Sequence, residues 1–293
     1  MSMQFVFSIT IMTLVVVAGC TSEKPAPDQT ATEGSVEHSD TGDTSTNEES
    51  LNSDQVERVA DAPKPMRVLL GSTDLTAGIP GEGPLTTEQI QAWVDDPQNH
   101  VSLEVELPLG LLAGAGLIKI PADNPMTRAG IELGRQLFFD KRLSSDNTVS
   151  CADCHHPAEG YTRHTQFGVG VNGQEGGRNS PVSYNRIFSG AQFWDGRAAS
   201  LEEQAVGPIA NPIEMANTHE AAVETVRNIE GYSIQFEKVF EDGVTIDNIG
   251  KAIATFERAI VTGAAPVDYY EPVRIMHVAF GEDLEDLDAL KED

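Results

Sequence analysis

Five consecutive residues, Cys151-Ala152-Asp153-Cys154-His155, constrain this chain more than any others. They spell Cys-x-x-Cys-His, the attachment sequence of a c-type haem. Two thiols three positions apart lie about one helical turn apart on one face. Both can therefore form thioethers with one porphyrin, and His155 can turn its imidazole to the iron from the proximal side. Half of a zinc ribbon is disfavoured, because it needs another pair of soft ligands and no further cysteine pair exists to supply it. A thioredoxin-like redox pair is disfavoured by His155 and by the lack of a preceding β-α-β pattern.

The 293 residues, enough for one or two domains, carry 46 acids against 19 bases, a formal net charge of −27. Phosphate backbones demand Lys and Arg clusters, so nucleic acid is not an expected partner. A basic electron-donor protein suits this charge better. Of the three cysteines, Cys151 and Cys154 are assigned to haem and only Cys20 remains, so no disulfide framework is expected.

An apolar run from Phe5 to Ala18 ends in Val17-Ala18-Gly19-Cys20. The run is short for a membrane span of ~20 residues. Small residues before a cysteine resemble the lipobox of bacterial lipoproteins, so residues 1–19 read as a lipoprotein signal peptide and Cys20 as the lipid-attachment site. Met1–Gln4 lacks the usual basic residue, and an ordinary secretory signal is the alternative. Either reading exports the chain, and haem c is attached outside the bacterial cytoplasm. The expected location is the periplasm, with a lipid anchor to the membrane.

Residues 21–62 hold eleven acids and two bases and almost no large apolar side chains. Such a stretch cannot offset its ordering entropy by burial. Residues 20–65 are therefore expected to be a disordered acidic tether. Residues 66–125 read as a wrapper segment. It has extended pieces at 66–70 and 103–109, a helix from Thr87 capped by Thr86, and a flexible apolar loop at 110–116.

Helical periodicity appears at 127–139, and Ser200-Leu201-Glu202-Glu203 reads as a capping box opening a helix at 201. Two further helices are expected at 219–229 and 246–262. The second carries Ile249, Ile253, Phe256 and Ile260 on one stripe and stops near Gly263. The long aperiodic stretch 156–190 is expected to wrap the haem edge. The predicted fold is mostly α, a cytochrome c-like helical haem domain with long loops over 126–275. Residues 276–293 form an acidic tail, with Gly281–Asp293 read as an exposed helix.

Around the haem motif lie Gly134-Arg135-Gln136-Leu137-Phe138-Phe139-Asp140, Leu143-Ser144, and Gly177-Arg178-Asn179-Ser180-Pro181. Then come Gln192-Phe193-Trp194-Asp195-Gly196-Arg197-Ala198, Leu201–Ala205, and Gly207-Pro208-Ile209-Ala210-Asn211-Pro212-Ile213-Glu214-Met215. In this order and spacing they resemble the N-terminal haem domain of bacterial di-haem cytochrome c peroxidases, including the MauG-like branch. The resemblance covers roughly residues 127–270.

The resemblance implies one covalent haem c and reduction of hydrogen peroxide with electrons from a small periplasmic donor, a cytochrome c or cupredoxin. It implies Glu214 as the group that moves a proton between the peroxide oxygens, with Gln204 beside it. Phe193 would line the pocket and Trp194 would relay electrons between haems; core packing is the alternative for both. Asn179 matches a ligand of a structural Ca2+, and loop capping is its alternative. Met215 reads as packing.

Two departures stand out. The position sixteen after His155, where many relatives carry an iron-blocking histidine, is Val171, so the iron's other face is expected to be open. His156 and His164 are poorly placed substitutes. The family's second Cys-x-x-Cys-His domain is absent from these 293 residues, so a separate second haem domain is an expected partner of a truncated or split enzyme. The rival functions are a non-catalytic mono-haem electron carrier and a MauG-like oxidant of a partner protein.

Overall fold

The computed structural model describes residues 64–280. The signal peptide 1–19, lipid-attachment residue Cys20, nearly all of the tether, and the helix expected over 281–293 lie outside the described residues. The described part is mostly helical, as the periodicity predicts.

Two short parallel strands, β1 (Met66–Leu69) and β2 (Leu103–Glu106), open the fold, with Met66 opposite Leu103. Between them lie a single turn, α1 (Thr73–Thr76), and α2 (Thr87–Asp95). Thr86 caps α2 as expected: its Oγ1 accepts from Gln89 N while Gln89 Oε1 accepts from Thr86 N. The loop expected at 110–116 contains a 3-10 turn, Leu112–Leu117.

The core is built on α3 (Arg128–Phe138) and α8 (Ile246–Ala259), each capped by a threonine hydroxyl, Thr127 and Thr245. Ile131, Leu133, Leu137 and Phe138 meet Ile249, Ile253 and Phe256 in one buried cluster. Each such side chain contributes about 1.5–3 kcal/mol when fully buried. The two helices cross at Gly134, where a Cβ would collide with the Ala252 carbonyl.

The haem motif forms a single turn, α4 (Cys151–Cys154), followed by α5 (Leu201–Ala210), α6 (His219–Arg227), α7 (Glu230–Val239) and α9 (Pro266–Phe280). The capping box at Ser200 is half kept. Its hydroxyl accepts from Glu203 N, but the Glu203 carboxylate reaches one residue further back, to Ala199 N. The stretch 156–190 holds short 3-10 turns and two isolated antiparallel bridges, in keeping with its aperiodic sequence.

Helices α7 and α9 are additions to the expected set. In α7, Tyr232 and Phe236 are buried one turn apart, but Gly231 and Ser233 blur the pattern. In α9, Pro266 suits the first turn, whereas the interior Pro272 argues against a continuous helix.

Candidate functional site

The site begins with the turn that holds the cysteines. Ser150 donates from both its N and Oγ to Asp153 Oδ2, at 2.8 and 2.7 Å, and Lys141 Nζ lies 3.0 Å from Asp153 Oδ1. Burial alone would raise the Asp153 carboxyl; the bonds from Ser150 and Lys141 hold it below the usual range. The turn closes with the His155 N–H donating to the Cys151 carbonyl at 2.9 Å. Both thiols and the His155 ring face one cavity of about 440 Å³, within the range of cofactor pockets.

Burial pushes the Cys151 and Cys154 thiols up and the His155 imidazole down. His155 is therefore neutral at pH 7, with a lone pair available to a metal. Its Nδ1 is buried without a hydrogen-bond partner. Around these groups stand Val149, Ala205, Pro208, Ile213, Met215 and Ile253. Two thiols on one face, a neutral imidazole and an apolar wall are the donor set and surroundings that a covalent c-type haem requires. The residues present fit that group.

A second wall comes from loops. Glu214, Gln204, Phe193, Trp194 and Asn179, all singled out from the sequence, line the same cavity. The backbone places Glu214: its N–H donates to the Asn211 carbonyl at 3.1 Å, and its carbonyl accepts from Val171 N at 2.8 Å. Gly170 lets these strands meet, because a Cβ there would strike the Ile213 and Glu214 carbonyls. Burial pushes the Glu214 carboxyl up, opposed by the charge of Arg197 and a hydrogen bond from Asn211.

Val171 is 1% exposed and packs in the core, so the position sixteen after His155 holds buried hydrocarbon rather than a ligand. His156 and His164 are spent elsewhere: His156 Nδ1 accepts from Ala158 N, and His164 Nδ1 pairs with Glu159 at 2.7 Å. Met215, 2% exposed, is packed as expected.

Trp194 does not pack in a core. It is 67% exposed, and its Nε1 donates to the Asn179 carbonyl at 3.0 Å. Phe193 adopts a positive φ of 66°, a conformation uncommon for a bulky side chain. Its ring lies beneath the Arg197 guanidinium, 3.5 Å from carbon to centroid, a cation–π contact. Asn179 Nδ2 donates to the Thr165 and Arg163 carbonyls at 2.8 and 3.3 Å, which is loop capping. Among the described residues no group of three or more His, Cys, Asp or Glu is placed to hold a metal ion.

Three charged cavity residues carried no role in the sequence analysis. Arg178 and Arg197 stand at the loop wall, tied to Asp195 at 3.2 and 2.8 Å. Both lie inside motifs quoted above, but no charge requirement marked them. Glu257 lines the helical wall. It follows Ile253 by four positions, an acid on the apolar stripe of α8.

Residues 128–273 match the sequence model of the di-haem cytochrome c peroxidase family. A cytochrome c551 peroxidase of Nitrosomonas europaea is 44% identical over 173 residues, covering 56% of this chain and 52% of that protein. One from Pseudomonas aeruginosa is 42% identical over 149 residues, covering 50% and 43%. The methylamine utilization protein MauG of Methylorubrum extorquens is 39% identical over 150 residues, covering 50% and 42%. The chain spans about half the length of these relatives.

Proposed function

Residues 128–273 belong to the di-haem cytochrome c peroxidase family, and from that premise we propose that this chain is a haem c peroxidase domain that reduces hydrogen peroxide. Cys151 and Cys154 would hold one haem and His155 its iron. Bound there, the haem supplies a metal that coordinates peroxide and exchanges electrons. The protein's own part is to move the proton. Glu214, in the carboxylate form, accepts it from the near peroxide oxygen and delivers it to the far one, which leaves as water. A carboxyl raised by burial suits this exchange at neutral pH. Gln204, on the same cavity, orients the substrate by hydrogen bonding.

The electrons come, in this reading, from a periplasmic cytochrome c or cupredoxin, directly or through a separate second haem domain. Exposed Trp194 at the rim is the point of entry. Export through residues 1–19 and a lipid on Cys20 would keep the domain at the membrane beside that donor. Calcium at Asn179 would use Oδ1, since Nδ2 is committed to the loop.

The observation that carries the proposal is a half-buried carboxyl, Glu214, on the same cavity as the Cys-x-x-Cys-His turn. Glu214→Gln should lower peroxide turnover by about 10²–10⁴-fold and leave haem per chain unchanged. The acidic limb of the wild-type pH–rate profile should lie above the ordinary carboxylate range and vanish in the variant. Unchanged turnover would remove the role given to Glu214. A resting electron-spin-resonance spectrum that is wholly low-spin and bis-histidine would favour an electron carrier instead.

A further inference from the structure

Glu257 is a buried ionisable group that proton transfer to peroxide does not use. It is 4% exposed, lines the cavity, and its Oε2 has no hydrogen-bond partner. An acceptor buried without a donor leaves its desolvation uncompensated. The site is nonetheless built around it. Arg258 follows it on α8 but is engaged elsewhere, its Nη2 donating to Glu202 Oε2 at 3.0 Å and its Nε to the Lys119 carbonyl at 2.9 Å.

The groups whose charge or polarity acts on Glu257 come from several elements: Ser183 and Arg186 from the loop 156–190, Glu202 from α5 and Arg258 beside it on α8, while Glu257 in turn acts on Cys151 of α4. Arg186 Nε is itself buried and unpartnered. Glu214, Arg178 and Arg197 line the same cavity. Glu257 lines the same cavity as Cys151, Cys154 and His155, and burial is the main influence on the His155 imidazole.

We propose that Glu257 is the proton acceptor coupled to electron entry: one electron delivered to the site by a one-electron donor protein is matched by one proton bound at the Glu257 carboxylate. The electron would go to the haem that Cys151, Cys154 and His155 would hold, the proton would come from solvent, and the net charge of the buried site would not change. The inference rests on the haem reading above.

Physical chemistry supports it twice. Adding negative charge to a dry cavity is costly, and an adjacent carboxylate that protonates removes that cost. Burial also pushes this carboxyl up to about 7, against the pull of Ser183, Arg186 and Arg258 and with a push from Glu202. The carboxyl is then poised where small changes in nearby charge move its proton. Reduction raises its proton affinity further. Between its oxidised-state and reduced-state pKa the midpoint potential should fall as pH rises. The expected slope is a tenfold change in the equilibrium per pH unit, about 59 mV for one electron.

The test is spectroelectrochemistry of the haem-loaded full chain across the neutral pH range, after a pyridine haemochrome assay. Absence of covalent haem in the wild type overturns the haem reading, and this inference with it. With haem present, a sloping potential that becomes flat in Glu257→Gln and persists in Glu214→Gln is the expected result. A flat wild-type potential overturns the Glu257 role alone, as does a slope that survives Glu257→Gln. Should Glu257→Gln fail to load haem, redox-difference infrared spectra of the wild type decide. A protonated-carboxyl C=O stretch should appear on reduction, and its absence overturns the proposal.

Discussion

The cavity has a helical wall and a loop wall, and different forces hold them. On the helical side, Ile253 and Glu257 project from α8, which is locked to α3 through buried Leu, Ile and Phe side chains. On the loop side, Glu214 is held by backbone bonds to Val171 and Asn211, and Asn179 by its own amide bonds to the Arg163 and Thr165 carbonyls. The first wall gains from hydrophobic area and packing density. The second relies on hydrogen bonds whose net worth is about 1 kcal/mol each. Each wall presents one carboxyl raised by burial, Glu257 and Glu214. The more deeply buried of the two sits on the more rigid wall.

The largest effect expected from breaking this arrangement is at Gly134. An added Cβ meets the Ala252 carbonyl, so α3 and α8 must move apart. Gly134→Ala should cost about 3 kcal/mol of stability, despite the ~1 kcal/mol that alanine returns in helix propensity. A denaturant titration of the haem-loaded chain reads this as a lower midpoint. An unchanged midpoint would show that the helical wall is not packed at this crossing.

Gly170 is the matching position on the loop wall. A Cβ there presses on the carbonyls of Ile213 and Glu214, and the loop can yield by displacing them. Gly170→Ala should therefore act mainly on the Glu214 carboxyl. We expect a loss in peroxide turnover of up to about 10²-fold, the scale of an ångström-sized misplacement. Its denaturation midpoint should move less than that of Gly134→Ala. A large stability loss with intact turnover per folded molecule would reverse the assignment of the two walls.

The same division governs what the sequence discloses. The helical wall was legible because Ile249, Ile253, Phe256 and Ile260 repeat at helical spacing, whereas the capping hydroxyls of Thr127 and Thr245 emerge only in the structure. Glu257 carried a signal too, as a charge within the apolar stripe, but periodicity alone does not say whether such a residue meets solvent or a cavity. The loop wall has no period. Its residues were found through motif resemblance, which brought Gln204, Phe193, Trp194 and Glu214 to one cavity but gave no side-chain exposure. No local pattern announces the positive φ of Phe193, the exposure of Trp194 or the stacking of Arg197 over the Phe193 ring. Helix α9 was hidden for a simpler reason: Pro272 lies in its interior.

The smallest effect separates scaffold from chemistry within the helical wall itself. The Thr245 hydroxyl accepts from Asn248 N at 3.1 Å at the start of α8. Twelve residues and roughly 18 Å of helix separate it from Glu257. Thr245→Ala removes the cap and should cost about 1 kcal/mol, read as a modest drop in the denaturation midpoint. Peroxide turnover and the pH slope of the potential should both stay at wild-type values, because fraying of the first turn leaves the Glu257 end of α8 packed against α3. If the slope changed together with stability, the proton site would depend on the helix as a whole, and the rigid wall would be part of the chemistry rather than its frame.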